Sequence, residues 1–308
     1  PQSGCVCAGW GYVVVVAGSG ITTNGITGHV AATLAYAVEL HGATVEVDGG
    51  IISYGGVDIE ATTGNVDIFG NVNEFGSSGG YGNDGVLIKS PGLALLSSQT
   101  GDLNFGSGLG FNEVDAYSIS FESHSGSTSV GNTRLRGFSG GNVHHVTFSA
   151  TESVSLNSGL DLQTDNLTLL AGAAYSLNLG GTLYGDSLSA SAGDVTVGYA
   201  NLSFNNFINL HADHTLSIDH ASLYADQVGL IGDGQVNISY ASLGGVGSGA
   251  TLLRAYGGVG IQGGAISVDH TGINGETIFV GATSAISLQY GTFYAATDTL
   301  RGHNLSGH

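Results

Sequence analysis

The chain has 308 residues and a formal net charge of -19, with Lys89, Arg134, Arg136, Arg254 and Arg301 as its only strong cations. Nucleic acid and anionic lipid are gripped by clustered Lys and Arg, so both are excluded as partners. Charged residues at 9% and 54 glycines leave little room for long charge-laced helices, and no apolar run approaches the ~18 residues that cross a bilayer.

Residues 1–26 read as an N-terminal extension. It holds both cysteines, Cys5 and Cys7, the only tryptophan, Trp10, and then Tyr12 and the valine run Val13, Val14, Val15 and Val16. Valines at successive positions make both strand faces apolar, so this strand calls for burial on both sides. Burying four Val side chains contributes on the order of 6–12 kcal/mol gross. Gly18, Ser19 and Gly20 then loosen the chain. Two placements meet that demand: the strand inserts into its own subunit, or it is donated to the next one. The reading taken forward is donation, with Trp10, Tyr12 and Val13 to Val16 as the assembly strand. Cys5 and Cys7, two apart on an extended strand, point the same way, and a bond between them strains the backbone. Outside the cell they are candidates for an intermolecular disulfide, with a local bridge as the alternative. The sequence contains no Met, which is read as the mark of a processed chain, most simply by signal-peptide cleavage though a trimmed chain would look the same, and a secreted protein is expected.

From residue 27 to 308 the chain reads as a β-solenoid. Residues 27–44 fit either a first coil, through the alternation Ala32, Leu34, Tyr36, Val38 and Leu40, or a capping helix, through Val30, Leu34 and Val38. Residues 45–302 repeat with a period of about 20. Apolar pairs two apart mark one strand face at Leu177/Leu179, Val195/Val197, Leu216/Ile218 and Val236/Ile238. A second beat runs through Leu183, Leu202, Leu223 and Leu243, and a third through Leu188, Ile208 and Val228. Gly-rich insertions are expected near 75–85 and across 245–285.

Three short strands per coil predict an all-β fold: a single-stranded, parallel, three-sided β-helix with an N-terminal extension. The phrases GNVDI (64–68), GDVTV (193–197) and ASLYAD (221–226) resemble the haemagglutinin-type repeats of large filamentous adhesins exported by two-partner secretion. The resemblance covers roughly residues 57–302. It implies a right-handed coil and an extracellular, adhesin-like setting.

Side chains that could carry chemistry are sparse. Asp213, Asp219, Asp226 and Asp233 fall in consecutive coils, where turns are their ordinary place. Tyr199, His220 and Tyr240 share one coil phase, which predicts a stacked ladder rather than a metal centre. His211 and His214 are metal candidates beside it. GGYGNDGVL (79–87) fits one copy of a calcium-binding nonapeptide pattern with Asp84 as ligand, or else an inserted loop, and no cofactor is assigned beyond that calcium candidate. No nucleophile triad or phosphate loop is present, so no catalytic residue is assigned.

These features point to a non-enzymatic extracellular subunit whose partner is itself, assembling head-to-tail into a surface filament or sheath fibril. Two alternatives follow: a glycan-binding adhesin module of a larger exoprotein, and a polysaccharide lyase or hydrolase.

Overall fold

The computed structural model describes residues 13–16, 21–23, 37–42, 45–47, 51–53, 56–61, 66–68, 72–74, 86–98, 101–105, 112–138, 141–157, 159–240, 251–302 and 304–307. Among them there is no helix, and the strands wind into a parallel β-solenoid. Residues 37–42 are strand, so this part of the 27–44 stretch takes the coil reading. No helix of the described residues is long and apolar enough to cross a membrane.

Three strand segments make one coil, as in Thr133–Arg136, Val143–Ala150 and Val154–Leu156. Each segment pairs in parallel with its equivalents on the neighbouring coils, except that Ile51–Ser53 and Val72–Glu74 pair, among the described residues, only with each other. One side steps Ile21, Val45, Val66, Ala94, Ile119, Val146, Leu167, Leu188. The next side steps Leu103, Thr128, Val154, Leu177. A third starts Val13, Val38, Val57, Val86. Every inner-face beat read from the sequence is buried where it is described, including Leu177, Val195, Leu216 and Val236, then Leu183, Leu202 and Leu223, then Leu188, Ile208 and Val228. Because a strand's side chains alternate, this burial also fixes the register: a slip of one residue would turn the whole apolar row to water.

Insertions are read directly from the step lengths. Val57 pairs with Val86 and Val66 with Ala94, steps of 29 and 28 that contain the insertion expected at 75–85. Farther on, the row Leu216, Val236, Ile266, Ile286, Leu305 advances by 20, 30, 20 and 19. The long step contains residues 241–250, and the coil is regular again from Thr251. The irregularity expected as far as 285 is therefore corrected. Glycines around Val259, Ile261 and Ile266 blur the apolar beat in the text, yet those three side chains are buried in phase.

Polar side chains inside the coil are satisfied locally. Thr128 Oγ1 donates to the Ser149 carbonyl at 2.8 Å, and Thr164 Oγ1 reaches the Val143 carbonyl at 2.8 Å. Left unpaired, such a hydroxyl would cost about 1–3 kcal/mol.

The two end rungs differ from the interior. Val13–Val16 pairs, among the described residues, only with Val38 to His41 of the same chain. Thr292–Arg301 lies on Thr271–Gln289 and is largely exposed. Where the inner coils place Ile278 and Val280, this last rung places Asp298 and a half-exposed Leu300.

Candidate functional site

Side chains at one phase of the coil meet their equivalents on the next rung, about 4.8 Å away. Outward-facing chemistry is thus arranged in ladders, and three of these gather functional groups.

The first lies at the corner preceding the second beat. Tyr199, His220, Tyr240, His270 and Tyr290 all have positive φ, between 42° and 50°. A Cβ in this left-handed region crowds the following carbonyl, which costs roughly 1–2 kcal/mol per residue. Here the strain is offset by stacking. Ring centroids follow one another at 5.0, 5.3, 4.9 and 4.7 Å, the first three pairs within 18° of parallel. Each such contact contributes about 0.5–1.5 kcal/mol. The histidines are also anchored: His220 Nδ1 lies 2.9 Å from Asp219, and His270 Nδ1 lies 2.8 Å from Asp269. Partial burial pushes the Asp219 carboxyl up, but hydrogen bonds from His220 and from Ser239 outweigh it and hold the group below its ordinary value. The expected ladder of Tyr199, His220 and Tyr240 is present, and it continues through His270 and Tyr290. Its inner ring faces are covered by one another. The end rings Tyr199 and Tyr290 are 74% and 69% exposed.

The second is a charged face that sequence reading did not find. Lys89, Asp115 and Arg136 are in register on three successive coils, and Glu113 stands in register with Arg134. Arg134 lies 3.5 Å from Glu113 and 3.7 Å from Asp161. Three of the chain's five Lys and Arg are therefore on one face with three carboxylates. Half-burial and the neighbouring Glu113 raise the Asp115 carboxyl to about 6, and its Oδ1 is buried without a hydrogen bond. A carboxyl held near neutrality beside a second one has the form of a proton-transfer pair. The signal was hidden because the contributing coils lie where the repeat lengths vary.

The third is a corner where His211, Asp213 and Asp233 bring their ligand atoms within 4.8 Å of one another. His211 and Asp213 are two apart on one strand, and Asp233 comes from the next rung. His214 points to solvent and stays outside this group, so the histidine pair expected from the sequence is replaced by one histidine and two aspartates. Asp219 is committed to His220 and Ser239, and Asp226 stands exposed.

Elsewhere, His144 Nδ1 pairs with Asp165 at 2.7 Å while its ring packs 4.3 Å from Tyr117. Cys5, Cys7, Trp10, Tyr12 and Asp84 lie outside the described residues. The valine strand Val13–Val16 forms the first rung of its own chain, in register with Val38 to His41.

The fold is that of parallel β-helix repeats. No protein-family model matches the chain, and neither does any curated protein or solved structure.

Proposed function

We propose that this protein is a non-enzymatic, extracellular structural or adhesin-like solenoid whose copies join end to end. One observation supports the reading: a parallel stack in which, among the described residues, Val13–Val16 is paired along one edge, with Val38 to His41, and Thr292–Arg301 along one edge, with Gly272 to Gly281. Open edges recruit further strands, and a head-to-tail contact that does not close into a ring makes a filament. The resemblance of the repeats to those of filamentous adhesins supports the same setting. In this arrangement the valine rung supplies the apolar edge, and Cys5 and Cys7, which precede it in the sequence, would cross-link neighbouring copies.

Electron microscopy and sedimentation of the purified chain test this. Fibres are expected from the intact chain and should disappear when residues 1–20 are deleted. A monodisperse monomer at high protein concentration would defeat the proposal.

A second reading is favoured by the charged face alone. Lys89, Arg134 and Arg136 beside Asp115 and Glu113 have the composition needed to hold and cleave an acidic polysaccharide. Release of reducing or unsaturated sugar ends, lost on Asp115→Asn, would select it over the structural role.

A further inference from the structure

We infer that His211, Asp213 and Asp233 form a binding site for one divalent transition-metal ion, with zinc the fitting choice, which ties two adjacent rungs together. The inference is independent of end-to-end assembly.

Local backbone geometry sets the site. Pairing between the two rungs runs regularly to Ala212 opposite Gly232, and resumes at Thr215 opposite Gln235. Between those points both rungs turn a corner. The Gly-Asp-Gly sequence around Asp233 is enforced by space, since a Cβ at Gly232 would lie 2.3 Å from the Gln235 carbonyl and one at Gly234 would lie 2.6 Å from that of His214. Asp233 is thereby held opposite His211 and Asp213. Asp213 lies at that corner, and its ligand atom comes within 4.8 Å of those of His211 and Asp233.

How the three side chains meet sets this group apart. The other histidine–aspartate pairs here, His144 with Asp165, His220 with Asp219 and His270 with Asp269, close at 2.7 to 2.9 Å. His211 Nε2 instead stands 3.6 Å from Asp233 Oδ1, beyond hydrogen-bond reach. Neither Asp213 nor Asp233 accepts a hydrogen bond from the described residues, and two like charges converge on one imidazole. An ion bound at about 2.0–2.2 Å from each ligand would sit among donors roughly 3.4 Å apart, close to the 3.6 Å between His211 Nε2 and Asp233 Oδ1, and the three ligand atoms already lie within 4.8 Å of one another. One imidazole nitrogen with two carboxylate oxygens suits zinc, copper or nickel, whereas calcium and magnesium take all-oxygen sets. The surplus negative charge of the chain draws cations toward it.

The test is calorimetric titration of the full chain with ZnCl2 and separately with CaCl2 at pH 7.5, repeated on His211→Gln, Asp233→Asn and the distant control His145→Gln. Circular dichroism establishes that each variant keeps its β spectrum. Saturable zinc binding of about one equivalent is expected, weakened at least tenfold by either site variant and unchanged by the control, with no saturable calcium binding. Zinc should also raise the melting midpoint of the parent chain and of the control but not of the site variants. Absence of saturable zinc binding, affinity unaffected by both site variants, or calcium binding that is as tight as zinc and lost in the site variants would each overturn the assignment. Asp233 is exposed, so its variant keeps the test decisive even where His211→Gln fails to fold.

Discussion

Two aromatic stacks run along this solenoid, one inside the coil and one outside it. Inside, Phe105, Phe121 and Phe148 follow one another at 5.4 and 5.1 Å, all but fully buried, with Phe121 and Phe148 parallel to within 2°. Phe121 and Phe148 share one row, which Leu96 and Leu169 continue on either side, while Phe105 meets Phe121 from the next side of the coil, where it is in register with Val130. Outside, the ladder from Tyr199 to Tyr290 has nearly the same ring spacing but is bathed in water and carries left-handed backbone strain at every step. The rung spacing brings rings together in both places. What differs is the apolar area removed from water, and that area sets how much each stack stabilises the fold.

The inner stack should therefore be the costlier one to break. Phe121→Ala removes a ring with neighbours on both sides and leaves a cavity the stacked rungs cannot close, an expected loss of about 3–5 kcal/mol. Urea unfolding of the full chain, read by tyrosine fluorescence and by circular dichroism, measures it. A loss below about 1 kcal/mol would mean that the coils collapse around the hole and that burial is not what separates the two stacks.

Asp115 stands between these extremes, half-buried on the outer surface. Its carboxyl is raised from 3.8 to about 6 in the folded chain by burial and by Glu113. The sign follows from linkage: the folded state holds this proton more tightly, so the associated stability is fully present below about pH 4 and lost as the pH climbs through about 6. Solvent screening at a half-exposed group limits the effect to on the order of 1 kcal/mol. Asp115→Asn should accordingly be more stable than the parent at pH 7, with the difference shrinking toward pH 4. Denaturant midpoints for both proteins across that range decide the matter, and a variant that is less stable at pH 7 would show that Lys89 and Arg136 outweigh the burial.

The architecture was legible in the sequence because the inner face is written in one alphabet. Leu216/Ile218 and Val236/Ile238 are apolar pairs at period two, repeated after 20 residues, and no helix makes that pattern. His220 was legible too, since the words around it match those around Tyr199 and Tyr240. His270 and Tyr290 were not, because the 30-residue step between Val236 and Ile266 shifts the phase and glycines dilute the beat. Lys89, Asp115 and Arg136 stayed hidden for a related reason: they are 26 and 21 residues apart, in coils without a shared wording. The meeting of Asp213 with Asp233 and His211 depends on a corner where strand pairing lapses, and side-chain direction at a corner is set by backbone turns rather than by alternation.

The outer ladder offers the smallest and most discriminating effect. Tyr240 stacks on His220 at 5.3 Å and on His270 at 4.9 Å while its backbone sits at φ 42°. Tyr240→Ala removes both contacts and keeps the Cβ that the left-handed backbone disfavours, so a loss of about 1–2 kcal/mol is expected for this exposed site. Tyr240→Gly removes the same contacts but also the Cβ, which recovers roughly 1–2 kcal/mol of strain against about 0.5–1 kcal/mol for the greater freedom of Gly in the unfolded chain. Gly should therefore be the better tolerated of the two, by about 0.5–1 kcal/mol. If Ala proves equal or better in the same urea titration, the corner does not hold its left-handed turn once the ring is gone. The stack would then be what bends the backbone, rather than the backbone presenting the stack.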